Sequence, residues 1–234
     1  MMRHFTNRYI FIFSTVMVVL VAAVLSMAAT MLKPQQERNL ELEKKKSILE
    51  SINIPADRNN AESLYDKYVK ETFVLNSAGE RMQDVNAFNV ELKVEQKKPL
   101  EQQSLPVFMA TVDDSSRVLI IPLEGKGLWG PIYGYVSLKE DLNTVYGITF
   151  DHKGETPGLG AEINQTFFES QFIGKKIFEG EDFVSVKVLK SNEKPVEGHS
   201  VDAISGGTIT SKGLERMLHD CIIKYVDYLK KNRK

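Results

Sequence analysis

The segment from Asp202 to Ser211 holds residues that can carry a covalently attached phosphate. Gly206 and Gly207 stand directly before Thr208, and a long helical pattern follows. Glycine lets the backbone turn tightly and come close to a bulky ligand, and the N–H groups in the first turn of a helix bind phosphate. Thr208 would then expose its hydroxyl beside an anion site, which suits a threonine that bears a phosphate group. An ordinary loop with a Ser or Thr N-cap gives the same pattern.

Two further segments contain residues that can hold a planar ligand. Residues 124–136 include four glycines, one proline, two tyrosines and the only tryptophan, Trp129. Aromatic rings stack on ring systems and glycine permits close approach, although a hairpin with aromatic packing explains this composition equally well. Residues 151–160 form a glycine-rich loop without the spacing of a P-loop or a dinucleotide fingerprint. Its Glu155 and Thr156 can instead bond the polar edge of a ring.

Composition and motif content argue against several classes of function. The chain has 234 residues, of which 42% are hydrophobic and 26% charged, as in one globular domain of good size or two small ones. A formal net charge of −1 and the lack of a basic-aromatic motif argue against nucleic acid as a partner. Cys221 is the single cysteine, and its place on an apolar helical face predicts a core residue. The sequence has no CxxC motif, His pair at metal-ligand spacing or acid–base pair that indicates substrate chemistry.

A membrane anchor is predicted near the N-terminus. Residues 9–32 contain no charged side chain, and about 20 apolar residues suffice to cross a bilayer. The run is too long for a cleaved signal peptide, whose apolar region spans about 7–15 residues. Arg3 and Arg8 favour a cytoplasmic N-terminus, whereas a count of Lys and Arg on both sides favours the opposite topology. The expected parts are a cytoplasmic tail (1–8), a transmembrane helix (9–32), a charged helical stalk (33–60) and a further domain (61–234).

Apolar periodicity predicts the elements of that domain. Alternation at every second residue predicts strands, and i, i+3, i+4 spacing predicts helices. Strands are expected at 73–75, 88–94, 106–112, 117–123, 143–150 and 183–188, helices at 61–72, 164–172 and 214–229, and polar turns at 76–79 and 113–116. The predicted fold class is α+β, with a mixed, mostly antiparallel sheet and packed helices behind one transmembrane helix.

These motifs follow one another in the order of a known family. After the anchor come Gly-Leu-Trp-Gly at 127–130 with Tyr-Gly-Tyr at 133–135, then Gly-Glu-Thr-Pro-Gly-Leu-Gly at 154–160, then Asp-x-x-Ser-Gly-Gly-Thr at 202–208. Over nearly its whole length the chain resembles the C subunits of sodium-translocating NADH:quinone oxidoreductases, which belong to the wider family of covalently flavinylated FMN-binding domains. The related electron-transport subunits of ferredoxin:NAD oxidoreductase complexes share the anchor and the threonine turn. The long stalk and the Trp129 loop favour the sodium-pump family.

The resemblance implies that FMN is joined to Thr208 by a phosphoester bond. A separate flavin transferase makes this bond, with FAD as the donor and AMP as the leaving group. Asp202, Ser205, Gly206 and Gly207 match the recognition motif. In the family, alanine usually stands where this chain has Gly207, so the turn here has lost one small side chain.

The resemblance also implies which residues lie against the flavin ring: Trp129, Glu155, Thr156 and Leu159, with Lys190 as a further contact. It implies a cytoplasmic N-terminus, a periplasmic main domain and a place in the cell inner membrane beside the other subunits of the complex. The expected role is electron transfer between cofactors, without a complete active site on this chain. A membrane-anchored binding or assembly module with no redox role is the alternative from another class.

Overall fold

The structure, a computed structural model, describes residues 6–113 and 116–233. Of the expected features, Arg3 and the centre of the 113–116 turn lie outside the described residues. The chain separates into two compact units, Met1–Lys44 and Lys45–Lys234.

One long helix, α1, runs from Asn7 to Ser51. Among the described residues it is the one helix that is long and apolar enough to cross a membrane. Every side chain of residues 9–32 is exposed, as expected of apolar side chains that face lipid. Pro34 lies inside the helix, which ends at Ser51, so that residues 52–60 of the predicted helical stalk are not helical. The long apolar helix predicted from the sequence is therefore present.

The unit Lys45–Lys234 is built on a six-stranded antiparallel sheet with the strand order β2-β1-β3-β4-β5-β6. Its strands are β1 (Val69–Leu75), β2 (Arg81–Met82), β3 (Leu105–Val112), β4 (Ser116–Lys126), β5 (Pro131–Leu138) and β6 (Val145–His152). From β3 to β6 each strand pairs with the next one in the chain, with Phe108 opposite Ile120 and Val136 opposite Ile148. Strands β3, β4 and β6 confirm the predictions for 106–112, 117–123 and 143–150, whereas β5 was foreseen only as part of the possible hairpin at 124–136.

The remaining elements follow the sheet or connect its strands. Two short antiparallel strands are β7 (Phe178–Glu179) and β8 (Asp182–Phe183), and a separate parallel pair is β9 (Lys187–Leu189) and β10 (Ser200–Asp202). The helices are α2 (Ala61–Tyr68), α3 (Leu92–Glu95), α4 (Thr166–Glu169), α5 (Thr208–Ile222) and α6 (Val226–Asn232). The α+β class with mostly antiparallel pairing is confirmed, and the parallel pairing lies outside the main sheet.

Both faces of the main sheet carry apolar cores. On one face Ile121 belongs to a cluster with Leu214 and Leu218 of α5. On the other face Ile120 belongs to a cluster with Ile48 and Leu49 from the end of α1. Successive residues of β4 thus point to opposite faces and both are buried, as in a sheet covered on both sides. Cys221 is buried in the first cluster, as predicted.

The predicted strand at 88–94 is wrong. Residues Ala87–Asn89 form a 3₁₀ turn and Leu92–Glu95 forms α3. The side chain of Asn86 accepts a hydrogen bond from the Phe88 N–H group at 2.9 Å. This local side-chain bond gives the backbone a partner in place of a neighbouring strand, so the alternation of apolar residues misled the prediction.

The predicted strand at 183–188 is interrupted. β8 ends at Phe183 and β9 begins at Lys187, and Ser185 between them has a φ of 58°. The N–H groups of Val184 and Ser185 both donate to the carbonyl oxygen of Ile177. The backbone therefore turns here, and the second half of the segment pairs in parallel with β10.

The end of α1 and the turn that follows it are held against strands β5 and β6 by hydrogen bonds from side chains to the backbone. Ser137 Oγ donates to the carbonyl oxygen of Ser51 at 2.5 Å, and Asn53 Nδ2 donates to that of Tyr146 at 3.2 Å. Gly147 makes this approach possible, because a Cβ atom there would overlap the same Ser51 oxygen.

Gly147→Ala is therefore expected to lower the free energy of unfolding by about 1–3 kcal/mol, the usual range for overpacking. Chemical unfolding of the detergent-solubilised chain measures this change. Gly154→Ala is the matched control, because a Cβ atom there would meet no atom within 4 Å. Equal loss in both variants, or no loss at Gly147, would contradict the packing argument.

Glu169 of α4 is a half-buried carboxyl group beneath β6. Its Oε1 accepts from the Phe150 N–H group at 2.7 Å. Burial raises the pKa of Glu169 to about 7, with smaller contributions from the negative charges of Glu50 and Asp151, while hydrogen bonds from Phe150 and Thr149 act in the opposite direction. The native state thus holds this proton more tightly than the unfolded chain does.

We expect the contribution of Glu169 to stability to be complete below about pH 4.5, near the unfolded pKa, and to be lost as the pH rises through 7. Glu169→Gln keeps an acceptor for Phe150 and removes the titration. It should be more stable than the parent chain at pH 8 and gain nothing at pH 4.5, as measured by urea unfolding. Identical pH profiles for the two proteins would refute this assignment.

Candidate functional site

A glycine turn between β10 and α5 positions Thr208. Gly206 has a φ of 72°, which favours glycine, and the Gly207 N–H group donates to the Ile204 carbonyl at 3.0 Å. Helix α5 begins at Thr208 with Gly207 as its cap residue, and no side-chain hydrogen bond caps it. The chain therefore does not form an ordinary Ser or Thr N-cap at the start of α5. Thr208 is half-buried, at the positive end of a 15-residue helix.

The 154–160 loop packs directly on this turn. A Cβ atom on Gly206 would lie 2.6 Å from Leu159 Cδ2, and one on Gly207 would lie 3.2 Å from the Leu159 carbonyl carbon. A Cβ atom on Gly207 would also lie 3.0 Å from Ile204 Cγ2. These tight contacts give a packing reason for glycine at position 207, where the family pattern has alanine.

Glu155 joins the loop to two other segments of the chain. Its side chain is 4% exposed. One carboxylate oxygen, Oε1, accepts from the Trp129 N–H group at 2.8 Å, and the other, Oε2, accepts from Thr210 Oγ1 at 2.5 Å. Trp129 lies in the tip between β4 and β5, and Thr210 lies in the first turn of α5. Residues 124–136 form a hairpin, which was one of the two interpretations left open by their composition, and its tip adjoins the start of α5.

Large apolar side chains around this junction remain open to solvent. Trp129 is 69% exposed, Ile209 58% and Leu159 42%. Thr156 and Ser205 are exposed as well. A group of exposed apolar side chains beside polar groups is typical of a surface that is covered by a ligand or a partner.

Asp202 and Lys190 lie at the same end of the parallel β9–β10 pair. Asp202 is opposite Leu189, the residue before Lys190. The Asp202 N–H group donates to Gln171 Oε1 at 2.9 Å and the Lys190 N–H group donates to Glu193 Oε2 at 2.8 Å, while both side chains are exposed. The structure thus brings Lys190 beside the segment that leads into the threonine turn.

The sequence prediction missed two residues of this site. Thr210 was not singled out, although its hydroxyl lies buried against Glu155. Ile209 was not singled out either, and its exposure at the start of α5 breaks the inward pattern of the helix. Within residues 6–113 and 116–233, no group of three or more His, Cys, Asp or Glu side chains can hold a metal ion.

The site falls inside a region shared with a known family. Residues 127–223 match the family described as FMN-binding domain. This region begins at the hairpin tip that holds Trp129, contains Glu155 and Thr208, and ends just after α5. An FMN-binding domain is therefore part of the chain.

Relatives from two bacteria cover most of the chain. The C subunit of the Na(+)-translocating NADH-quinone reductase from Vibrio vulnificus (strain YJ016) is 32% identical over 208 residues, or 82% of this chain and 81% of the relative. The Haemophilus ducreyi (strain 35000HP / ATCC 700724) protein of the same name is 32% identical over 207 residues, or 82% of this chain and 80% of the relative.

Crystal structures show the same fold. The C subunit from Parabacteroides distasonis ATCC 8503 is 44% identical, has a TM-score of 0.78 and covers 85% of this chain and 96% of its own. NqrC from Shewanella oneidensis is 26% identical, has a TM-score of 0.67 and covers 84% of this chain and 99% of its own. Identity, coverage and fold agree, and the chain therefore belongs to the NqrC family, the C subunits of the Na+-translocating NADH-quinone reductases.

Proposed function

We propose that the chain carries FMN on Thr208 through a phosphoester bond and relays electrons within the NADH-quinone reductase complex. The observation that carries this proposal is the start of α5 at Thr208 without a side-chain cap. Backbone N–H groups in the first turn of a helix bind phosphate oxygens, and the helix dipole favours their negative charge. A phosphoryl group on the Thr208 hydroxyl would take the place that a capping side chain fills in other helices.

The surroundings of Thr208 fit FMN. Gly206 and Gly207 let the turn pack closely against Leu159 and Ile204, which sets Thr208 at the start of α5 next to the 154–160 loop. The exposed Trp129, Leu159 and Ile209 offer apolar surface to a planar ring. Bound FMN supplies a ring that accepts and gives up electrons, and the protein supplies its position and electrostatic surroundings.

Each remaining site residue has a separate part in this proposal. Asp202 is exposed directly before the turn and Ser205 is exposed within it, where a flavin transferase can recognise them before it moves FMN from FAD to Thr208 and releases AMP. Thr156 is exposed on the neighbouring loop and can bond the polar edge of the ring. Lys190 follows the residue that is opposite Asp202, so it adds a positive charge at the same end of the β9–β10 pair.

The membrane anchor decides in which compartment electron transfer would take place. We propose that residues 9–32 cross the cell inner membrane, with residues 1–8 in the cytoplasm and residues 33–60 as a stalk. The domain from 61 to 234 would then lie in the periplasm among the other subunits of the complex. The long apolar helix α1 and the family's role as a subunit support this arrangement. NADH oxidation and sodium transport belong to the complex as a whole.

Thr208→Ala should abolish covalent flavin and leave the fold intact, because Thr208 is only half-buried and the start of α5 does not depend on a side-chain cap. The variant and its parent are expressed with a flavin transferase, denatured, and compared by in-gel fluorescence and intact mass. The parent should be heavier by one FMN less one water, and the variant should be dark.

Thr166→Ala is the matched control, because Thr166 is likewise the first residue of a helix and its side chain is exposed. It should keep the flavin. Acid-stable flavin on the Thr208→Ala chain would overturn the assignment. A parent chain that stays unmodified beside a proven transferase would favour an anchored module without a redox role.

A further inference from the structure

We propose that Glu155 is a positioning residue: its buried carboxylate fixes the Trp129 loop to the start of α5 and so shapes the flavin site before flavin is attached. This inference concerns the same site as the proposed function and rests on it, because the positioned loop would serve the flavin. The family resemblance places Glu155 against the flavin ring. The geometry points instead to an action through Trp129 and Thr210.

The first support is that both carboxylate oxygens are already bonded within the protein. Oε1 accepts from the Trp129 N–H group at 2.8 Å and Oε2 accepts from Thr210 Oγ1 at 2.5 Å. Glu155 is 4% exposed and Thr210 is 1% exposed. The carboxylate therefore faces the interior of the junction, and its hydrogen bonds tie the hairpin tip to α5.

The second support is a cradle of glycines around the carboxylate. A Cβ atom on Gly127 would lie 2.5 Å from Glu155 Oε1, and one on Gly160 would lie 2.5 Å from Glu155 Oε2 and from Thr210 Oγ1. Only residues without side chains admit the carboxylate at this place. Gly127 in the hairpin tip and Gly160 in the 154–160 loop thus both leave room for the Glu155 carboxylate.

The third support is the charge of the group. No Lys, Arg or His in the described ranges forms an ion pair with Glu155. Burying a carboxylate without a cationic partner opposes folding, and a well-packed apolar residue would stabilise a purely structural contact at least as well. A carboxylate adds geometric specificity, because its two charge-assisted hydrogen bonds fix the positions of the Trp129 N–H group and the Thr210 hydroxyl.

Removal of the Glu155 carboxylate would mainly affect Trp129. Its indole is 69% exposed, so packing does little to hold the ring. The loop is fixed by the bond from its N–H group to Glu155 and by the bond from the Gly127 N–H group to the Gly130 carbonyl at 2.8 Å. Without Glu155 the tip, residues 127–130, loses its hydrogen bond to the 154–160 loop, and the backbone that carries the indole is no longer tied through Glu155 to the start of α5.

The first experiment needs no flavin, because Trp129 is the only tryptophan in the chain. Glu155→Ala, Glu155→Gln and Thr210→Val are made in full-length Thr208→Ala protein in detergent. Steady-state anisotropy and acrylamide quenching of tryptophan emission are measured, with far-UV circular dichroism as the test of folding. Thr166→Ala is the neutral control.

We expect Glu155→Ala and Thr210→Val to lower the anisotropy and raise the quenching constant, with unchanged circular dichroism. Glu155→Gln should restore most of both signals, since its amide accepts from Trp129 and donates to Thr210. Thr210→Val is decisive, because valine keeps the shape of threonine and replaces the hydroxyl donor with a methyl group. Unchanged Trp129 signals in both Glu155→Ala and Thr210→Val would overturn the inference, and so would a Gln variant no better than Ala.

The second experiment repeats the three variants with Thr208 intact and a flavin transferase present. If Glu155 acts through the loop, Thr210→Val and Glu155→Ala shift the flavin absorption in the same direction, and Gln reverses the shift. A shift in both Glu155 variants with none in Thr210→Val would show direct contact with the ring and contradict the proposal. If no chain takes up flavin, the proposed function fails, while the flavin-free experiment still decides the role of Glu155.

Discussion

The close approach of helix α5 to the end of strand β4 is the contact on which the site depends. A Cβ atom on Gly213 would overlap the carbonyl oxygen of Lys126, and one on Gly125 would lie 2.6 Å from Met217 Cβ. Glycine at both places lets the helix lie directly on the strand. The start of α5 and the tip of the β4–β5 hairpin therefore become neighbours, although they are far apart in sequence. Thr208 gains its surroundings from this packing.

Around that contact the chain combines three kinds of chemistry. The uncapped start of α5 provides a positive helix end, Glu155 provides a buried anion that organises the loops, and Trp129, Leu159 and Ile209 provide exposed apolar surface. Such a site can hold a charged, partly planar group in one orientation.

Local patterns predicted the parts of the fold that depend on local physics. The apolar run of α1, the apolar segments of β3, β4 and β6, and the glycine turn before α5 all follow from residue type and spacing. The strand expected at 88–94 failed because the Asn86 side chain bonds the Phe88 backbone. The pairing of Glu155 with Thr210 and the place of Lys190 beside Asp202 were beyond prediction, since each depends on a contact between distant segments.

The most direct measurement is the position of the flavin among the hydroxyl groups of the turn. Tryptic peptides of the chain matured with a flavin transferase are fragmented in the mass spectrometer to locate the added FMN. Ser205, Thr208, Thr210 and Ser211 all lie in this segment, but Thr210 and Ser211 are buried and bonded within the protein. The account predicts the added mass of FMN less one water on Thr208 alone. Flavin on Ser205, Thr210 or Ser211, or a segment without flavin in an otherwise flavinylated chain, would contradict it.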